Sequence, residues 1–510
     1  MGTYLLGIDI GTSACKIVVF DRRGRLQAAE TGNYKVYYPE PGWAEQDPGE
    51  WWAAVCRAIP RALEAGHIRP QEIAGIGLAG QSWSAVALNA SGEVLCRTPI
   101  WMDTRAAEIC REMSDRIGSD RILDLCGNPL QPSYTTGKIL WYRRYAPDLY
   151  GSCRHILQSN SYIAYRLTGV LSQDLSQGYG LHCFDMRRGS WDGDMARELG
   201  IAADLLPEIF PCHAVIGGVT EQAARACGLC PGTPVVAGGL DAACGALGAG
   251  VIHPGQTQEQ GGQAGGMSIC TDRAMGDARL ILSFHVMPGR RLLQGGTTGG
   301  GGVMRWMERE LGAYERMIAG DQNKRSLDLF NELAEAVPAG SDGVVFLPYM
   351  AGERSPIWDP NAKGVFYGLD FSKTKGHLIR AAMEGVAYSL RHNLDVAESL
   401  GAKAEVLRSM GGSANSLVWT QIKSDITGKP IEVPASDTAT SLGAALLAGV
   451  GVGLYEDFDR AVAETVEIKR EHRPNPDRKA AYEANYRVYL ELYENLKDMM
   501  NRGGILPWRQ

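Results

Sequence analysis

The stretch LLGIDIGTSACKIVVFD, Leu5–Asp21, sets two apolar strand-like runs on either side of a glycine turn that carries Asp9, Thr12 and Ser13. Such a hairpin points backbone N–H groups and hydroxyls at an anion, and a carboxylate like Asp9 can hold a metal ion beside phosphates. It reads as a phosphate grip. The alternative is an ordinary hairpin in which Asp9 and Thr12 only bond their own turn.

Outward from this hairpin the chain alternates strand and helix signals, the pattern of an α/β protein. In QDPGEWWAAVCRAIPRALEAG, Asp47 is placed to cap, Pro48 to fill the first turn and Glu50 to close a capping box. IAGIGLAG reads as a buried strand, SAVALNASGEVL as a hairpin, and PDLYGSCRHILQSNSYIAYRLTG follows helical periodicity. The polar Pro/Gly connection GVIHPGQTQEQ marks a domain boundary. Beyond it TQEQGGQAGGMSICTD repeats the layout of strand, glycine turn and strand, and two related halves facing one another are expected to enclose a ligand cleft. In the tail, Tyr482, Tyr486, Tyr489 and Tyr493 share one helical face and are expected to pack against the body.

At 510 residues the chain is too long for one core, so two to four domains are expected. Its composition is globular, with 45% apolar and 21% charged residues. A net charge of -7 argues against nucleic-acid or anionic-membrane binding and favours small-molecule partners. No export or lipid signal is apparent, and the longest apolar run is Gly-rich and interrupted by Asp241, which places the protein in the cytoplasm. Twelve scattered cysteines suit reduced core positions; Cys227 and Cys230 are the one tight pair, and no second CxxC completes a metal site.

Several residues have the chemistry of a site. Asp241 follows the strand VVAGG and opens DAACGALGAG, so its carboxylate is expected at a helix N-terminus, where the dipole keeps it ionised. A bare N-cap is the alternative. Glycine runs precede helices at GGTTGGGGVMRWMERE and at Gly411-Gly412, where a nucleotide can lie on backbone, although no Walker-type Gly-Lys-Ser/Thr exists. WMDTR presents Trp101, Asp103 and Arg105 on one side of an extended segment, which suits a polyhydroxylated ligand, or else is a structural ion pair beside a core tryptophan. GQSWS around Ser82 approaches a nucleophile elbow, but it lacks the final glycine and precedes a strand-like segment, so a serine hydrolase is disfavoured.

Taken together, these segments resemble the FGGY carbohydrate kinases of the actin and hexokinase superfamily, and most closely their xylulokinase branch. The resemblance runs from Leu5 to about Gly453. GVFYGLDFSKTKGHLIRAAMEG, Gly364–Gly385, fits the family's C-terminal signature, and SYTTGKILW, Ser133–Trp141, fits most of its N-terminal one. PGWAEQDPGEWW and GGLDAA are also similar to xylulokinase segments.

The resemblance implies two actin/hexokinase-like (ribonuclease H-like) α/β domains with a catalytic cleft between them. These are residues 1–252, carrying the sugar site, first phosphate hairpin and catalytic Asp, and 253–510, carrying the nucleotide site and a helical tail. It implies ATP and Mg2+ as cofactors and phosphorylation of a terminal hydroxyl of a ketopentose. Asp241 would be the base, and Asp9 would organise Mg2+ through water. Thr12, Ser13, Lys16, Gly262 and Gln263 would hold the phosphates. Gly301 and Arg305 would lie along the nucleotide, with Gly411, Gly412 and Asn415 beside the adenosine. Gln81, Ser82, Trp83, Trp101, Asp103 and Arg105 would line the sugar site. Expected partners are a sugar or polyol and ATP/ADP, with no nucleic acid or membrane; a homodimer is left open.

Three positions depart from the xylulokinase pattern. Gln81-Ser82-Trp83 stands where Gln-Met-His is usual, Asp241-Ala242 where Asp-Asn is usual, and Gly262-Gln263-Ala264-Gly265 where Gly-Thr-Ser-Gly is usual. The first two fall in the implied sugar pocket, which leaves D-xylulose, glycerol and erythritol-like polyols as acceptors. A silent nucleotide-binding protein of the same fold is the other alternative, opposed by the presence of Asp9, Lys16 and Asp241.

Overall fold

Strand Tyr4–Ile10 (β1) turns back on Ala14–Phe20 (β2), which pairs with Leu26–Asn33 (β3), and Ile73–Gly80 (β4) lies parallel to β1 on its other side. Ile17, Val19 and Phe20 of β2 and most of β1 and β4 are buried, as expected of apolar runs that receive cover on both faces. Strands Val215–Gly218 (β5), Pro234–Val236 (β6) and Gly239–Leu240 (β7) complete a seven-stranded sheet of order β5-β6-β4-β1-β2-β3, with β7 beside the end of β4. The computed structural model describes residues 2–503.

This sheet is the frame of the first of two units. Besides the chain up to Ile252, the unit takes in Cys270–Leu292 and Thr438–Glu467. A single boundary at 252 therefore misses two returns of the chain. The reason is visible in helix Ala439–Gly451, which is buried on nearly every side and cannot rest on a surface. It packs against β1, β4 and helix Asp241–Gly248. Only glycine allows the approach: a Cβ on Gly7 would stand 2.1 Å from the Ser441 carbonyl oxygen, and one on Gly77 would stand 1.7 Å from that of Ala444.

Helix Pro48–Ala65 starts where expected, with Asp47 accepting from Gly49 N at 2.8 Å. Glu50 does not close a capping box. Its carboxylate accepts from Lys35 N at 3.2 Å and from the Tyr37 hydroxyl at 2.5 Å, because the preceding loop runs within reach of it. The segment from Pro147 is likewise not one helical run: helix Pro147–Ser152, strand His155–Leu157 and helix Ser159–Thr168 follow one another.

The second unit holds His253–Ile269, Leu293–Asp437 and the chain from Ile468. Strands Gln256–Gly261 (β8) and Gly265–Thr271 (β9) form the expected second hairpin, and Val406–Met410 (β10), Ile431–Pro434 (β11) and Ile468–His472 (β12) extend the sheet from β8. Helices Lys375–Ser399 and Leu417–Thr427 pack together, and Tyr482, Tyr486 and Tyr489 of helix Lys479–Gly503 are buried in this core, with Tyr489 sharing a hydrogen bond with Tyr349 at 2.7 Å. No described helix is long and apolar enough to cross a membrane.

Candidate active site

In the first unit, Asp9, Ala79 and Gly239 lie abreast on β1, β4 and β7, and Asp241 comes two residues after Gly239. All three strands run parallel, so both acids project at their carboxyl ends, where open α/β sheets place ligands. Asp241 is the first residue of helix Asp241–Gly248, and its carboxylate accepts from Ala242 N at 2.6 Å. Both side chains are half-buried. Burial pushes the Asp9 carboxyl up to about 7; the charge of Asp241 pushes the same way and Lys16 opposes. Burial also lifts Asp241 to about 6, opposed by the hydrogen bond from Ala242 N.

Lys16 faces Asp9 across the β1–β2 ladder, and Gly11, Thr12 and Ser13 form the turn between them. The turn is held from behind. The Tyr34 hydroxyl donates to the Gly11 carbonyl at 2.5 Å, Tyr34 N donates to that of Ser13 at 3.4 Å, and Gln46 Nε2 donates to that of Thr12 at 2.6 Å. With its three carbonyls engaged by protein, the turn has its negative ends committed away from an incoming anion. Trp101 Nε1 donates to Thr12 Oγ1 at 3.0 Å, and Gln81 Nε2 donates to Gln46 Oε1 at 2.6 Å. Two residues expected in the sugar site are thus tied to this turn, Trp101 directly and Gln81 through Gln46. Tyr34 and Gln46 were given no role from the sequence, where Gln46 falls in a stretch read as a helix start and as part of the family resemblance.

Ser82 and Trp83 follow β4 directly. Trp83 has a left-handed backbone, φ 61°, and stacks on Tyr134 with centroids 4.2 Å apart. The buried Lys138 ammonium donates to the Trp83 carbonyl, and to that of Ser133 at 2.6 Å, which pins this turn. Burial draws the Lys138 amine down to about 7. The indole N–H of Trp83, Gln81 Oε1 and Ser84 Oγ are buried without a partner. Orphaned polar atoms of this kind suit a hydroxylated ligand.

WMDTR is a turn, not an extended segment, and does not present its residues on one side. Asp103 accepts from Ala44 N at 2.8 Å and from Arg105 Nη2 at 2.7 Å, while Arg105 also reaches Glu45 at 2.7 Å and lies 3.7 Å over the Trp43 ring. These charges are spent on one another in a structural network, and only Trp101 turns toward the phosphate hairpin. The Cys227 thiol lies 3.1 Å from that of Cys56 on helix Pro48–Ala65.

The second unit contains a cavity of about 270 Å3 lined by Gly262, Gln263, Gly301, Arg305, Gly412 and Asn415, six positions singled out in the sequence. Gly301 N donates to the Gly262 carbonyl at 2.7 Å and Gly302 N to that of Gln263 at 3.0 Å, joining the hairpin turn to the start of helix Gly301–Leu311. Arg305 donates to the Gln263 amide oxygen. Gly411, with φ 83°, adjoins the cavity without lining it. Phe330, Met383 and Trp419 supply apolar walls. A larger hollow of about 890 Å3 shares Asn331 and Asn415 but is edged by Asp328, Glu332 and Glu335.

Beneath this cavity lies an ion pair that sequence reading missed. Lys423 donates to Glu259 at 2.7 Å and to Ser413 Oγ at 2.7 Å, with both charged side chains almost fully buried. The two residues are 164 positions apart in the chain, and no local pattern signals them.

Residues 4–248 match the model of the FGGY family of carbohydrate kinases, N-terminal domain, and residues 281–452 match that of the C-terminal domain. The chain is 30% identical to the xylulose kinase of Escherichia coli over 97% of its own length and 99% of that protein's, and 29% identical to the gluconokinase of Bacillus subtilis over 98% of its own length and 96% of that protein's. Among solved structures, the xylulose kinase from Rhodospirillum rubrum matches with a TM-score of 0.89 at 29% identity, covering 98% of this chain and 100% of that one. The two-sheet α/β architecture is the actin/hexokinase-like fold of these kinases.

Proposed function

The chain belongs to the FGGY family of carbohydrate kinases, and from that premise we propose that it phosphorylates a terminal hydroxyl of a ketopentose, D-xylulose or a closely related sugar, in the cytoplasm. It is an ATP-dependent phosphotransferase with an alcohol acceptor, and such kinases use ATP with Mg2+. The observation that carries the acceptor-side assignment is the pair Asp9 and Asp241, half-buried beside the phosphate turn with carboxyls lifted to about 7 and about 6.

The residues present fit the metal. Two carboxylates drawn out of water, opposed by Lys16, leave negative charge that a divalent cation balances. Asp9 is the residue to hold Mg2+ through water, and the ion supplies charge neutralisation to the phosphate oxygens when bound. Asp241 accepts the proton of the acceptor hydroxyl. Its lifted pKa makes it a better base than a solvated carboxylate while leaving it ionised at neutral pH. Lys16, Thr12 and Ser13 offer a cation and donors to the outer phosphates, which is most of what a loose phosphoryl transition state requires. In the second unit, the apolar walls take the base while the turns at Gly262, Gly301 and Gly412 carry the rest of the nucleotide.

A shorter polyol of the glycerol or erythritol type is the second reading, favoured by the bulk of the Trp83–Tyr134 stack in the implied acceptor pocket. A coupled ADP-release assay over ketopentoses, aldonates and polyols tests both. Acceptor-dependent release with D-xylulose or a related ketose supports the first reading; release confined to short polyols replaces it with the second. No acceptor-stimulated release on any of them overturns both.

A further inference from the structure

A residue outside the implied sugar set stands against the acid centre. The turn Leu175–Gly180 carries Tyr179 and is bolted to the strand end that bears Asp241. Ser176 Oγ donates to Asp174 at 2.6 Å and accepts from Leu240 N at 2.8 Å, and Leu240 immediately precedes Asp241. Gln177 N also donates to Asp174, at 2.9 Å, and Asn160 Nδ2 reaches its other oxygen at 3.0 Å. One buried carboxylate therefore sets the spacing between Tyr179 and Asp241.

Tyr179 is 2% exposed and packs edge-on to Trp83 at 5.9 Å and to Tyr134 at 6.2 Å. Its hydroxyl is beside the Ser82 hydroxyl and the Trp83 indole, within the field of Asp241. Packing alone would be served by phenylalanine; a buried phenol needs a hydrogen-bond partner. Trp83 is 9% exposed, and its indole N–H lies beside this hydroxyl without forming a well-aligned hydrogen bond. An indole donor without a well-aligned bond and an amphoteric hydroxyl beside it, the latter within the field of a carboxylate, match a ligand with adjacent hydroxyls on an apolar carbon skeleton.

We propose that Tyr179 is a specificity-determining residue that touches the acceptor, its phenol hydroxyl bonding a hydroxyl adjacent to the one that Asp241 deprotonates, with the Trp83 indole N–H as its companion donor. The proposal rests on the kinase reading above and adds to it a residue and a subsite.

The test is Y179F in the full chain, assayed by ADP release on the best acceptor of the panel and on its analogues lacking one hydroxyl each. The expected result is a loss of 10-fold or more in kcat/KM for the acceptor, carried by its KM, with the KM for ATP unchanged within twofold. One deoxy analogue is expected to be turned over equally well by both enzymes, identifying the hydroxyl that is read. W83F is expected to weaken the acceptor in the same direction. An unchanged acceptor KM in Y179F overturns the proposal, and so does a loss spread equally over acceptor and ATP with a lowered melting temperature, the mark of packing alone. A wild-type chain silent on every acceptor removes the kinase reading and this one with it, whereas an active wild type matched by Y179F removes only this one.

Discussion

Around Asp9 and Asp241 two acids are drawn out of water with only partial relief from Lys16, whereas under the second unit's cavity Glu259 is matched by Lys423 at 2.7 Å. The first arrangement is poor for stability and good for chemistry. Uncompensated carboxylates bind cations and accept protons, so under the proposed function the fold would bear their desolvation where a metal and a hydroxyl are handled. The second arrangement is the reverse: its charges are satisfied internally, and the cavity above them offers backbone turns and apolar walls. Under the proposed function, one region would read its ligand through charge, the other through shape and backbone donors.

Breaking the matched pair should give the largest effect. K423M leaves Glu259 buried without its partner and is expected to destabilise the protein by about 3–5 kcal/mol, measured by urea denaturation. K423M with E259L is expected to recover most of that loss, since two apolar side chains need no compensation. Removing an unmatched charge should instead affect catalysis. D241A is expected to lower kcat roughly 100-fold or more, about 2.7 kcal/mol, with no loss of melting temperature. A large fall in stability for D241A, or a mild one for K423M, would erase the contrast.

A third titratable group of the first unit drawn out of water is His182, whose ring nitrogens meet Thr136 Oγ1 and the Pro129 carbonyl, both at 3.0 Å. Burial holds His182 at about 4, below its ordinary 6.5, so the unfolded chain binds the proton more readily than the folded one. Stability is therefore complete above pH 6.5 and lost as pH falls toward 4. H182Q is expected to remove about 1–2 kcal/mol of the difference in unfolding free energy between pH 7 and pH 5. The smallest effect belongs to a neutral contact. W101F deletes the N–H that reaches Thr12 Oγ1 and is expected to weaken ATP by about 0.5–1.5 kcal/mol, read as a severalfold rise in its KM with the acceptor KM unchanged.

Much of the candidate site's local structure was legible in linear patterns. The hairpin at Gly11, the strand ending at Gly80, the helix opening at Asp241 and the glycine turns at Gly262, Gly301 and Gly412 all lie where residue order indicates, because each depends on neighbours within a few positions. Other features depended on partners far along the chain. Asp103 and Arg105 look like a ligand's polar grip until Glu45 and Trp43 are seen to occupy them. Glu50 has the spacing of a capping box yet answers to Tyr37. Tyr179, Gln46 and Lys423 carry no local signature at all.

The order of residues alone determined which segments become strands, turns and helices, and which turns expose backbone donors, since period-two and period-3.6 patterning and glycine conformation are local properties. The tertiary structure alone decided which charges stay uncompensated. Ionisation depends on burial and on the nearest opposite charge, and both are set by contacts such as the packing of helix Ala439–Gly451 behind β1 and the seating of Asp241 beside Asp9.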